Sequence, residues 1–130
     1  MRNVRMLFLF LIIIFLTECS GGNGARILID GEKYKFGEVL SGENVVFTFF
    51  YKNTGTGDLI IEGLDVSCFC VRVKQYDKIV KPGERGKIYG MIETKGFEGD
   101  IVKKIQVKTN IPNQEPSILI IEGKILPRPK

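Results

Sequence analysis

Cys68 and Cys70 stand one residue apart in Ser67-Cys68-Phe69-Cys70-Val71, and their type and spacing could carry chemistry in this 130-residue chain. Residues i and i+2 of a strand lie about 6.5–7 Å apart, at the outer edge of the Cα separation a disulfide tolerates. A bridge between such close neighbours therefore needs a kinked backbone, and it would be strained and easily reduced. Three roles are open to the pair. One cysteine can pack in the core as a small hydrophobe while the other is exposed or bridged. The two can form a labile redox disulfide, or two thiolates can hold a soft metal such as Cu(I), with Met91 as the one further soft ligand of the domain. Zinc fits poorly, because it takes four ligands.

The chain contains no His, which removes the commonest general base and the commonest metal ligand together. No Ser-His or Cys-His dyad can be assembled from it. The expectation is a protein that is not an enzyme, with no catalytic residue, cofactor or metal ligand assigned. Lys plus Arg number 19 against 15 Asp plus Glu, a net charge of +4, and the cations are scattered through the strand-like segments. There is neither a basic stripe nor a recognisable module of the kind nucleic-acid binders carry, so no nucleic-acid partner is expected.

The third cysteine, Cys19, belongs to a different arrangement. Arg2 and Arg5 precede an unbroken apolar run from Met6 to Leu16, the charged and apolar regions of an export signal. A helix of that length reaches only about 16 Å, too short for a bilayer core of about 30 Å. The sequence Leu16-Thr17-Glu18-Cys19 that follows resembles a bacterial lipobox. Leu16, Thr17 and Cys19 fit it, whereas Glu18 departs from the small residue usual before the cysteine. The resemblance implies a lipoprotein signal peptide over 1–18, lipidation of Cys19, and a flexible tether over 19–25 led by Ser20-Gly21-Gly22. More than one acyl chain makes such anchoring stable. Ordinary secretion, with cleavage a few residues later, is the alternative.

Removal of the leader leaves about 110 residues, the size of one immunoglobulin-like sandwich. Short β-branched and aromatic runs alternate with turn residues, the signature of an all-β domain over 26–130. Asn44 to Lys52 is the clearest strand, with Val45, Phe47, Phe49 and Tyr51 on one face, which the pattern assigns to the core. Leu59 and Ile61 share a face in the next strand, as do Ile88 and Ile92 further on, and Ile101, Ile105 and Val107 in a later one. Lys81-Pro82-Gly83-Glu84 reads as a type II turn, with Pro fixing φ at the second position and Gly supplying positive φ at the third. The aromatic set Phe36, Phe47, Phe49, Phe50, Tyr51 and Tyr89 reads as core, with Phe50 alone on the opposite face of its strand as a candidate surface contact. About seven principal strands in two packed antiparallel sheets are expected.

Several residues in fixed order resemble the DUF1573 family, a short bacterial immunoglobulin-like sandwich related to ASPM/SPD-2/hydin and major-sperm-protein type domains. They are Phe36-Gly37, Gly42-Glu43, Phe47, Phe49, Asn53 and Gly55, then Leu59 and Ile61, Ser67-Cys68-Phe69-Cys70-Val71, Pro82-Gly83-Glu84 with Gly86, and Ile105, Val107 and Asn110. Phe69 stands where the family has Gly between its cysteines. The resemblance implies a fold and an envelope location, and it names no ligand. The expectation is therefore an exported protein of the cell envelope, lipid-anchored to a membrane through Cys19. Its non-catalytic sandwich would bind or organise an unknown envelope protein through strand edges and end loops. The alternative is an envelope thiol protein using Cys68 and Cys70 for metal binding or redox.

Overall fold

The computed structural model describes residues 24–130, so the leader, Cys19 and the tether up to residue 23 lie outside the described residues. Nine strands follow in order: β1 Ile27–Ile29, β2 Lys33–Leu40, β3 Val45–Asn53, β4 Leu59–Val66, β5 Val71–Tyr76, β6 Ile79–Val80, β7 Arg85–Ile92, β8 Gly99–Thr109 and β9 Ser117–Leu126. They form two sheets, β1-β3-β7-β5 and β2-β9-β8-β4-β6. All pairings are antiparallel except β2 with β9, which run parallel. Such a pairing is non-local and leaves no mark in the alternation of either strand.

Period-2 alternation drives the layers together. In β3, Val45, Phe47, Phe49 and Tyr51 are buried, while Val46 and Phe50 are exposed between them. Phe47 and Phe49 pack with their rings tilted at 5.8 Å, and Tyr34 meets Phe49 edge-on at 6.4 Å. Ile88 and Ile92 of β7 complete this half of the core, and Leu59, Ile61, Ile105, Val107, Leu119 and Ile121 supply the other. Burying each such side chain contributes about 1.5–3 kcal/mol. Among the described residues the buried core and the strands lie within residues 25–126.

Tyr89 corrects the expected aromatic core. Ile88 and Gly90 take the inward positions of β7, which turns Tyr89 outward to an exposed site. Glycine on the inward face has a steric reason. Gly90 stands opposite Phe47 and Gly86 opposite Tyr51 in the β3–β7 ladder. A Cβ on Gly90 would lie 2.4 Å from the Arg72 carbonyl oxygen and 2.6 Å from the Phe47 ring. The aromatic rings occupy the space that side chains at these positions would need.

Each end of the sandwich is pinned by one buried polar side chain. At the end where Gly24 leads into β1, Asn53 is fully buried. Its amide nitrogen donates to the carbonyls of Gly57 (2.7 Å) and Val80 (2.9 Å), and its oxygen accepts from the backbone N–H groups of Gly55 (3.0 Å) and Arg26 (3.3 Å). At the other end Thr94, also fully buried, accepts from the Gly42 N–H at 2.9 Å and donates to the Glu43 carbonyl. The expected turn at Lys81–Glu84 is present, with Glu84 N–H donating to Lys81 at 3.0 Å and Gly83 at φ 80°.

Tyr51 donates its hydroxyl to the Asp77 carbonyl beside the same core. Burial, with the charge of Asp77 and then Tyr76 adding to it, holds this phenol well above its ordinary range. It is therefore a neutral donor at any pH the fold meets.

Replacing Asn53 with Ala orphans four backbone groups at once, and the expected loss is about 3 kcal/mol, measured as a lowered urea midpoint with an unchanged slope. Gly90→Ala overpacks the β3–β7 contact and should cost about 1–3 kcal/mol in the same experiment.

Candidate functional site

The β4–β5 connection carries the two cysteines. Their sulphurs are bonded, and the Cα atoms stand 5.2 Å apart, closer than an extended i, i+2 pair. The chain achieves this by leaving the strand: Val71 N–H donates back to the Cys68 carbonyl at 3.1 Å, closing a tight turn over Cys68–Val71. The kink that the spacing demanded is thus present, and Phe69 accommodates it. Among the described residues Asn113 is the only non-glycine with positive φ, so Phe69 keeps a backbone conformation open to any L-residue. A glycine is not required there.

The turn is braced on both sides. Ser67 N–H donates to the Lys104 carbonyl at 3.0 Å, and Lys104 N–H returns a bond to the Ser67 hydroxyl at 2.9 Å. Glu93 N–H donates to the Cys70 carbonyl at 2.9 Å, while the Glu93 carboxylate pairs with the Arg72 guanidinium at 2.8 Å. Cys70 N–H points at the Cys68 sulphur, 3.2 Å away. Cys70 is buried against the core and Cys68 half-buried. Phe69, between them, is 97% exposed. Two shallow hollows flank it, one with Val66 and Lys103, the other with Arg72, Lys95 and Phe97. The Lys103 ammonium lies 5.0 Å over the Phe97 ring.

A bonded pair offers no thiolate, so a metal could enter only after reduction. Met91 stands opposite Arg72 on the outer side of its sheet. No group of three or more His, Cys, Asp or Glu side chains among the described residues is placed to hold a metal. Cys19 lies outside the described residues. Phe50, as expected, is outward and 47% exposed. The exposure of Phe69 was not legible in the sequence, because an aromatic in a β-rich segment reads as core until the turn is known.

A family model described as "Protein of unknown function (DUF1573)" matches residues 27–125. The chain belongs to the DUF1573 family. Among solved structures, a protein of unknown function from Porphyromonas gingivalis W83 superposes on this DUF1573 domain with TM-score 0.69 at 14% identity, over 83% of this chain and 51% of that one. The Vibrio cholerae VesB protease matches with TM-score 0.63 at 13% identity, over 78% of this chain and 32% of that one. The chain thus spans about half and about a third of these two proteins. PapD-like domain 7 of human CEP192 matches almost end to end, with TM-score 0.67, 12% identity, and 88% and 95% coverage. At these identities the likeness shows the fold, an immunoglobulin-like, PapD-like sandwich. No curated protein matches the chain.

Because Phe69 touches little, Phe69→Ser should leave the unfolding free energy within about 0.5 kcal/mol of the parent. The double change of Cys68 and Cys70 to Ser should cost about 2 kcal/mol by urea unfolding, since so small a ring restrains the unfolded chain by only about 1.6 kcal/mol.

Proposed function

We propose that this DUF1573 protein is a lipid-anchored protein of the cell envelope whose sandwich is a non-catalytic binding or scaffolding module. The Cys68–Phe69–Cys70 turn is its contact with an envelope protein. The observation that carries this reading is the fully exposed Phe69 on a bridged, hydrogen-bonded turn. Aromatic side chains dominate interface energies, and a contact fixed before binding loses little entropy on docking. Its neighbours Lys95 and Lys103 favour a partner whose receiving pocket is rimmed by carboxylates.

End loops suit this role better than strand edges. The outer strands are β1, β5, β2 and β6, of which β1 has three residues and β6 two. The ladder shifts register within β5 near Lys74 and within β2 near Phe36. Short, bulged and Lys-bearing edges resist strand addition. The tether enters beside Asn53, whereas Phe69 lies by the opposite end of β3, about 27 Å along a strand of this length. Phe69 therefore sits away from the anchored end.

Two measurements test the two halves of this reading. Mass spectrometry of the chain expressed with its leader in a bacterial host should show loss of residues 1–18 and a diacylglyceryl group on Cys19, both abolished by Cys19→Ala. An unmodified Cys19 removes the anchor. A photo-crosslinking amino acid at position 69 should give a discrete adduct in the envelope, and one at Asn113, at the tether end, should not. Absence of the adduct from position 69 removes the contact.

The bonded sulphurs, with Cys68 half-buried, favour a second reading: an envelope thiol pair that exchanges with an external dithiol, which is oxidised as the bridge takes up two electrons and two protons. Phe69→Ser separates the two readings. It should abolish the crosslink to a partner while leaving the thiol state, trapped by alkylation in intact cells, unchanged.

A further inference from the structure

We infer that the outer face of the four-stranded sheet is a docking surface for a bilayer bearing anionic headgroups. The ladder registers place Val46, Thr48, Phe50 and Lys52 of β3 and Arg85, Lys87, Tyr89 and Met91 of β7 on that face. Leu28 of β1, opposite Lys52, joins them. Leu28, Val46 and Phe50 are 58%, 49% and 47% exposed, and Tyr89 is exposed beside them. A sheet face this apolar, left uncovered, marks a contact surface.

The outward charges of β3 and β7 are of one sign. No outward position of β3 or β7 carries a carboxylate. Lys52 and Arg85 stand directly opposite each other, an arrangement that disfavours the sheet unless an anion joins them. Neither they nor Lys87 make an ion pair among the described residues. Three carboxylates border the face: Glu93 is engaged by Arg72, Asp77 accepts the Lys87 backbone N–H at 2.9 Å, and Asp30, whose own N–H donates to the Phe50 carbonyl, stands beside Leu28. Leu28, Phe50, Lys52 and Arg85 line a hollow of about 180 Å³ in which Asp30 is the single carboxylate against two cations. The opposite sheet differs, for there Lys33 and Lys35 share Glu122 and Lys108 meets Asp65 at 2.7 Å. Half-exposed apolar groups among unpaired cations match the interfacial layer of an anionic bilayer, where rings and methyls enter the headgroup boundary and cations meet phosphates.

The tether adds a geometric reason, which rests on the proposed lipidation of Cys19. Gly24 leads into β1, the edge strand of this sheet. The five residues 19–23 reach about 17 Å when extended. An anchored Cys19 thus keeps this edge close to the bilayer, and rotation about the tether is enough to lay the face down.

The test uses the chain from residue 20 onward, without lipid, so that its outcome is independent of whether Cys19 is modified. Sedimentation is compared with phosphatidylcholine vesicles and with vesicles in which about a third of the lipid is phosphatidylglycerol. Binding to the second alone, weakening with added salt, is expected. Lys52→Glu with Arg85→Glu should weaken it about thirtyfold or more, and Phe50→Ser should weaken it as well. Lys33→Glu with Lys35→Glu, on the other sheet, should not. Failure to sediment with anionic vesicles, or equal binding to both kinds, overturns the proposal. So does retention on immobilised poly-glutamate through Lys52 and Arg85 without vesicle binding, which assigns the face to an acidic protein.

Discussion

The side-chain amide of Asn53 satisfies four backbone groups from three different segments. These are the start of β1 at Arg26, the β3–β4 turn at Gly55 and Gly57, and β6 at Val80. A single primary amide has two donors and two acceptor lone pairs, and here all four are used. The order of the end at which the chain enters β1 follows from that arithmetic. Gly55 belongs to the same constraint, since a Cβ there would lie 1.9 Å from the Gly24 carbonyl oxygen. The chain entering β1 and the turn leaving β3 are pressed together with no room for a side chain.

Thr94 does comparable work at the far end with one hydroxyl, joining the β2–β3 turn to the segment that follows β7. Neighbouring Glu93 binds the Cys70 carbonyl. The exposed turn is thus mounted on a fixed base, and its bridge is one restraint among several. The two ends of the domain are rigid for different reasons, and the hydrophobic layer between them holds them in a fixed relation. A sandwich of this kind offers three sorts of surface: edges, faces and end loops. Its edges are short or bulged. One face is ion-paired and the other is apolar and cationic. One end receives the chain that leads into β1, and the other carries a bare phenylalanine.

Much of the fold was legible in the residues. Alternation in Val45–Tyr51 named the buried face of β3 because one sheet face is core and the other is not, so a period of two has only one low-energy reading. Pro82-Gly83 named its turn because φ is restricted by proline and freed by glycine, which are local facts. Tyr89 was misassigned because residue type favours burial, whereas the parity of β7 is set by Ile88 and Gly90, and Gly90 faces inward only because Phe47 fills its space. The site divided in the same way. The Cys-x-Cys spacing showed that a bridge would need a kink. That Phe69 would stand fully clear of the surface depended on Lys104 and Glu93, residues distant in the chain.

The sequence by itself determined what depends on neighbours along the chain: strand-forming runs, which face of the clearest strand is apolar, the principal turns, and the absence of any histidine chemistry. The tertiary structure decided what depends on partners brought from afar. It set β2 parallel to β9, converged four backbone groups on Asn53, and turned Phe69 outward. It also gathered Lys52, Arg85 and Lys87 on one sheet face without a carboxylate among the outward positions of β3 and β7. The reason is physical. Backbone dihedrals and side-chain alternation are properties of a short segment, but burial, hydrogen-bond satisfaction and surface charge belong to the segments that pack against it, and only the folded chain specifies which those are.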